Sequence, residues 1–224
     1  MGGKLIVIEG LDGSGKATQA SLLYDNLKCK YDILKITFPD YKELSSSLVK
    51  MYLNSEFSDN PDDINAYAAA SFFAVDRYAS YMKYWKNDYL GGKIIISDRY
   101  STSNMIYHMN KLPFEEWDKY LEWVEDYEYL KLSIPKPDIV IYLDVPIEIS
   151  QQFMSKRYGG NESKKDIHEK NIEFLKKCRK SALYSAEKNN WKVINCAQNG
   201  KIKSIEEIHN EIIKTLEKGD FLNA

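Results

Sequence analysis

The stretch Leu5-Ile6-Val7-Ile8-Glu9-Gly10-Leu11-Asp12-Gly13-Ser14-Gly15-Lys16-Ala17-Thr18 decides the fold. It opens as an apolar strand-like run, passes through a glycine-rich turn and leads into an amphipathic helical segment, Gln19 to Leu27. The three glycines let backbone N–H groups turn inward around phosphate oxygens. With Lys16 opening the helix, the spacing is that of the P-loop, Gly-x-x-x-x-Gly-Lys-[Ser/Thr], up to its last position. The helix start adds the positive end of its dipole and unpaired N–H groups. Gly-rich turns also join strands to helices in proteins that bind nothing, but the strand before and the helix after are the context that a phosphate cradle requires. Gly10, Gly13, Ser14, Gly15, Lys16, Ala17 and Thr18 are therefore the expected ATP cradle.

One position departs from the pattern. Ala17 stands where a Ser or Thr hydroxyl would reach Mg²⁺, and Thr18 lies about 100° further round the helix. The Mg²⁺ is then expected to be held by phosphates and water, with help from a nearby carboxylate.

A chain of 224 residues, 44% hydrophobic and 29% charged, is long enough to bury a full core, and one domain over 1–224 is expected. No run of about 18 apolar residues exists to span a bilayer, and the first residues enter a strand without a signal-like segment. A cytoplasmic location is the expectation. Cys29, Cys178 and Cys196 are odd in number, far apart and without metal-ligand spacing, so neither a disulfide framework nor a zinc site is expected. A net charge of −2 offers no global attraction for nucleic acid or an acidic membrane. Local charge is uneven: nine Lys or Arg against four acids between Ser155 and Lys180, and seven acids against one Lys from Phe114 to Glu128. Such runs are usually solvated faces; a phosphate cradle gives the basic one a ligand.

Five β-type runs alternate with helical stretches: Lys4 to Glu9, Ile33 to Phe38, Lys93 to Asp98, Asp138 to Asp144, and Lys192 to Cys196. The alternation predicts an α/β fold of the P-loop type, a five-stranded parallel sheet flanked by helices. Ligands then collect beyond the carboxyl ends of the strands. Helices are predicted over Glu43 to Leu53, Ile64 to Leu90, Phe114 to Leu132, Ile147 to Arg157, Asp166 to Lys188 with Asp166 as N-cap, and Ser204 to Lys218.

Two of these elements are candidates for a second substrate site. Phe73 and Arg77 are four apart and share a helix face. They read either as core beside a surface Asp76-Arg77 pair, or as a flat ring and a guanidinium suited to a base and a phosphate. The third strand ends in Ser97-Asp98-Arg99-Tyr100, which places Asp98 near Mg²⁺, acting through water, and aims Arg99 at the transferring phosphoryl group. A local salt bridge is the plainer reading of that pair. Asp144, closing the fourth strand, is structural, orients metal-bound water, or shapes the ATP base pocket. Residues 155–166, rich in glycine and basic side chains, have the composition of a flap.

Taken together, these residues resemble the thymidylate kinases, a family within the P-loop nucleoside-monophosphate kinases. The resemblance covers nearly the whole chain and rests on Glu9-Gly10-Leu11-Asp12-Gly13-Ser14-Gly15-Lys16-Ala17-Thr18-Gln19, Phe38-Pro39, Phe72-Phe73-Ala74-Val75-Asp76-Arg77, Asp98-Arg99-Tyr100, Pro135-Lys136-Pro137-Asp138 and Tyr142-Leu143-Asp144-Val145-Pro146. It implies transfer of the γ-phosphoryl of ATP to dTMP, a step towards dTTP, by an enzyme that is commonly a homodimer. Phe73 matches the ring stacked on thymine, Arg77 the cation near base and phosphate, Arg99 the arginine on the acceptor phosphate, and Asp12 the carboxylate near the sugar hydroxyl. Phe38, Pro39, Ser103, Asn104 and Tyr107 match pocket positions. Two further departures stand out. Tyr41 occupies the position of a phosphate-clamping arginine, with Lys42 as a substitute, and Gly13 stands where some members carry an arginine, which leaves Arg157 beside the flap as the cation.

The chemistry needs no strong base, because a phosphate monoester with a second pKa of about 6 is already ionised at neutral pH. A site without histidine is therefore expected, with Lys16, Asp98, Arg99 and Arg157 doing the catalytic positioning and charge neutralisation. The rival readings are a related kinase for another deoxynucleotide or a deoxynucleoside, and a non-catalytic nucleotide-dependent switch.

Overall fold

The computed structural model describes residues 2–161, 166–169, 171–219 and 221. Its centre is a five-stranded, all-parallel sheet of β1 (Lys4–Gly10), β2 (Ile33–Thr37), β3 (Ile94–Asp98), β4 (Ile139–Asp144) and β5 (Lys192–Asn195), in the order β2-β3-β1-β4-β5. The strands are apolar on both faces because both are covered. Leu5, Val7, Ile95, Val140 and Tyr142 face one layer of core, and Ile6, Ile8, Ile96, Ile141 and Leu143 face the other.

The second layer is closed by α1 (Lys16–Leu27), which follows β1, together with the last helix of the chain. Between β2 and β3 run α2 (Ser47–Leu53), α3 (Ala66–Ser80), a π-helical turn over Tyr81–Trp85, and α4 (Lys86–Leu90). Between β3 and β4 lie α5 (Thr102–Tyr107) and α6 (Trp117–Val124), the latter continued by a π-helical turn over Glu125–Lys131. Next come α7 (Ile147–Arg157) and α8 (Ile172–Lys188); past β5, a two-stranded hairpin of β6 (Ala197–Gln198) and β7 (Lys201–Ile202) precedes α9 (Ile205–Lys218). Ser204 and Glu207 form a reciprocal capping box at the start of α9.

The structure departs from the sequence reading at the start of the long helix and after the last strand. Asp166 does not cap the long helix: its Oδ1 accepts the backbone N–H groups of His168 and Glu169, closing a short turn, and Asn171 caps α8 through the N–H of Phe174. Asp and Asn both cap in this way, so the pattern alone does not choose between them. The β6–β7 hairpin was not anticipated. Of the proposed flap over 155–166, residues 162–165 lie outside the described residues.

Candidate active site

The cradle leaves β1 at Gly10 and enters α1 at Lys16. Gly13 has a φ of 78°, and a Cβ built there would lie 2.4 Å from the backbone oxygen of Ser150. Helix α7 thus packs directly against the loop, and this position has room for no side chain, an arginine included. Ser14 Oγ is buried without a hydrogen-bond partner among the described residues. Lys16 is buried, donates to the Leu11 carbonyl at 2.8 Å and stands 3.9 Å from Asp12. Burial and the neighbouring Arg99 guanidinium bring its pKa down to about 8. Ala17 and Thr18 are exposed on the first turn of α1.

One strand over, Asp98 pairs in register with Ile8 of β1 and Thr37 of β2. The chain then turns sharply, with Arg99 at a φ of 67° and its N–H on the Ile8 carbonyl at 3.1 Å. A left-handed arginine is strained and has to be held by its surroundings. Glu9, fully buried, does this: it accepts from the Tyr100 N–H at 3.2 Å, Thr102 Oγ1 at 2.7 Å and Ser103 Oγ at 2.9 Å. Burial raises the pKa of Glu9. The turn brings the Arg99 guanidinium onto Asp12 in an ion pair and over the Tyr107 ring, 5.1 Å from its centroid. Tyr107 OH donates to Asp12 Oδ2 at 2.9 Å. Burial pushes the Asp12 carboxyl up, but Arg99, Lys16 and the Tyr107 hydroxyl more than reverse this and hold it well below the usual carboxylate range.

Asp12, Arg99 and Tyr107 form one wall of a cleft. Phe38, Pro39, Phe73, Arg77, Ser103 and Asn104 line it as well, so every residue assigned to acceptor binding from sequence meets here. The roles of some differ from the reading above. Arg77 is buried, with Nε and Nη2 donating to Glu128 at 2.7 and 2.6 Å, so Arg99 rather than Arg77 is the cation free of a bidentate partner. Asp76 is buried too and holds the Phe38-Pro39 loop by accepting from the Asp40 N–H and Ser45 Oγ. Ser103 gives its hydroxyl to Glu9. Tyr41 lines the cleft at the clamp position, whereas Lys42 is exposed and does not. Arg157 is exposed at the end of α7, outside the cleft lining. Asp144 is gripped by Arg179 of α8 through bonds of 2.7 and 2.8 Å.

The expectation of a site without histidine is corrected. His108 and His168 both line the cleft. His168 stacks on Tyr107 at 5.5 Å, and its Nε2 lies 2.8 Å from Tyr52 OH. His108 sits 5.3 Å from the Phe73 ring. Burial and the Lys111 ammonium keep His108 well below its usual value and bring His168 down to about 3. Burial and the nearby Asp12 push Asp166, at the same wall, up to about 7. A lone His in sequence gives no sign of its pocket; for His108, the spacing of four from Asn104 is the one available signal.

Asp98 Oδ1 is buried without a partner, and no group of three or more His, Cys, Asp or Glu among the described residues could hold a metal ion by itself. An ion arriving with phosphate oxygens therefore fits beside Asp98, while a protein-only cage does not exist there.

The described residues form no helix long and apolar enough to cross a membrane. The family model described as thymidylate kinase matches residues 8–212. A probable thymidylate kinase of Thermococcus onnurineus is 34% identical over 95% of this chain and 96% of its own length. The thymidylate kinase of Plasmodium falciparum is 30% identical over 96% of this chain and 90% of its own. Among solved structures, the thymidylate kinase from Candida albicans superposes with a TM-score of 0.69 at 26% identity, covering 98% of this chain and 93% of that one. With the cradle, the Asp98-Arg99 turn and the cleft all in place along the matched length, the chain belongs to the thymidylate kinase family.

Proposed function

We propose that this chain transfers the γ-phosphoryl group of ATP to dTMP, giving ADP and dTDP. The observation that carries the reading is the Asp12, Arg99 and Tyr107 cluster, which joins the end of the phosphate cradle to the wall of the acceptor cleft. Cradle amides and Lys16 hold the donor phosphates. Arg99 holds the acceptor phosphate, whose oxygen attacks already ionised, so no proton has to be removed. The P–O bond to ADP breaks as the new one forms. Asp98 would hold Mg²⁺ through water, and the ion supplies charge neutralisation on the phosphate oxygens.

At the far end, the base lies against Phe73. Asn104 donates through Nδ2 to the Ala70 carbonyl and to Glu128, and its Oδ1 is buried without a partner. An acceptor left in this way pairs with the N3–H of thymine. The whole chain, with the flap over 155–166, acts as one catalytic domain in the cytoplasm. Val75, Tyr78 and Met82, exposed along one face of α3 and the π turn after it, support a homodimer with a second copy on that face.

The test is Mg²⁺-dependent ADP release from ATP with each nucleoside monophosphate and with thymidine. Stimulation by dTMP above the others is expected. Stimulation by thymidine instead would leave Arg99 without an acceptor phosphate, and nucleotide binding without acceptor-dependent turnover would sink the enzymatic reading.

A further inference from the structure

We propose that Glu128 is a positioning residue that sets which bases the acceptor cleft takes; the inference rests on the dTMP reading above. Glu128 is fully buried, although it belongs to an acidic stretch. Its neighbours in the π-helical turn, Glu125 and Asp126, form ion pairs with Lys136 and Lys131 in which both partners are solvent-accessible. The wider π turn re-aims one residue of such a run, and here it turns a single carboxylate inward.

That carboxylate has two jobs. Oε2 accepts from Arg77 Nε, and Oε1 accepts from both Arg77 Nη2 at 2.6 Å and Asn104 Nδ2 at 2.8 Å. The other Nδ2 hydrogen of Asn104 goes to the Ala70 carbonyl at 3.1 Å. Both donors of the amide are therefore spent on fixed acceptors. Turning the amide over would set its oxygen against a carboxylate and a carbonyl at about 3 Å, two acceptor–acceptor contacts in a buried site. Glu128 thus fixes the amide of Asn104, a residue of the cleft lining, with its buried, unpartnered oxygen as the one group left to accept from a base. Thymine and uracil offer an N3–H to it; cytosine offers a lone pair at the same position and leaves two acceptors facing each other. Base selection is written on a residue that does not itself line the cleft.

The experiment compares kcat/KM for dTMP and dCMP in wild type and variants. Glu128→Asp keeps a negative charge opposite Arg77 but is one methylene too short to serve both Arg77 and Asn104. Its dTMP-to-dCMP ratio should fall at least tenfold, through KM for the monophosphate, with KM for ATP within twofold. Two charge-neutral doubles separate this from loss of the ion pair and stand in should Glu128→Asp not fold. R77M/E128Q retains an acceptor for Asn104, and R77M/E128L does not, so discrimination should be lower in the second. A wild-type preference for dTMP that persists unchanged in the folded variants overturns the role of Glu128 alone. A wild-type ratio near one overturns the acceptor reading and this inference with it.

Discussion

Lys16 shows how burial and function pull against each other at a single residue. Its ordinary pKa of 10.5 is brought down to about 8 by burial and by Arg99. Between those two values the unfolded chain binds the extra proton, so stability rises with pH across the window. Below about pH 8 the cost of a buried ammonium, about 3 kcal/mol, is fully present. ATP phosphates restore the favourable partner and pull the proton back. Calorimetry of ATP binding in buffers of different ionisation enthalpy should therefore show uptake of close to one proton at pH 9 and little at pH 7. Absence of uptake at pH 9 would show that Lys16 stays charged in the free enzyme. Arg77 and Arg99 were placed together from the sequence because their motifs are local, whereas Arg157 lies outside the cleft lining. The partner of Arg77 and the two histidines were not legible there. Glu128 lies 51 positions from Arg77 in an acidic run indistinguishable from a solvated face, and His108 and His168 meet only through the packing of α5 against the segment before α8.

The elements that were easiest to read are the strands, since a run buried on both faces is apolar without interruption. The start of α8 and the hairpin of two-residue strands were not readable, because a single capping residue or a two-residue pairing is too short a pattern. The two π turns gave no signal either: their residues are ordinary helix formers. Between elements, the cradle fits closely against α7. Gly13→Ala would force its Cβ into the Ser150 carbonyl and strain a φ of 78°. It should destabilise the fold by about 1–3 kcal/mol and raise KM for ATP more than KM for dTMP. Thermal melts and the two KM values decide this. A variant equal to wild type in both would mean that α7 gives way freely and does not brace the loop.

At the scale of the molecule, the exposed apolar face of α3 sets the state of assembly, on the proposal above. Tyr78→Glu places a charge in the middle of Val75 and Met82, and its mass by light scattering should drop from dimer to monomer at micromolar concentration. A wild-type monomer would remove the proposal. The family as a whole was legible where the single contacts were not, because it rests on an ordered set of short motifs, each fixed at the carboxyl end of a strand or the start of a helix.

The pairing of β1 with β3 has one more consequence. Ile8 faces Asp98 across the ladder, and the next residue along is Arg99. A slip of one position would exchange an anion for a cation at the mouth of the sheet and turn every side chain of the strand to the opposite layer. The charge pattern of this enzyme is therefore digital. Evolution can lengthen its loops by degrees, but it cannot slide its electrostatics gradually along the sheet, since there is no half-step between the two registers.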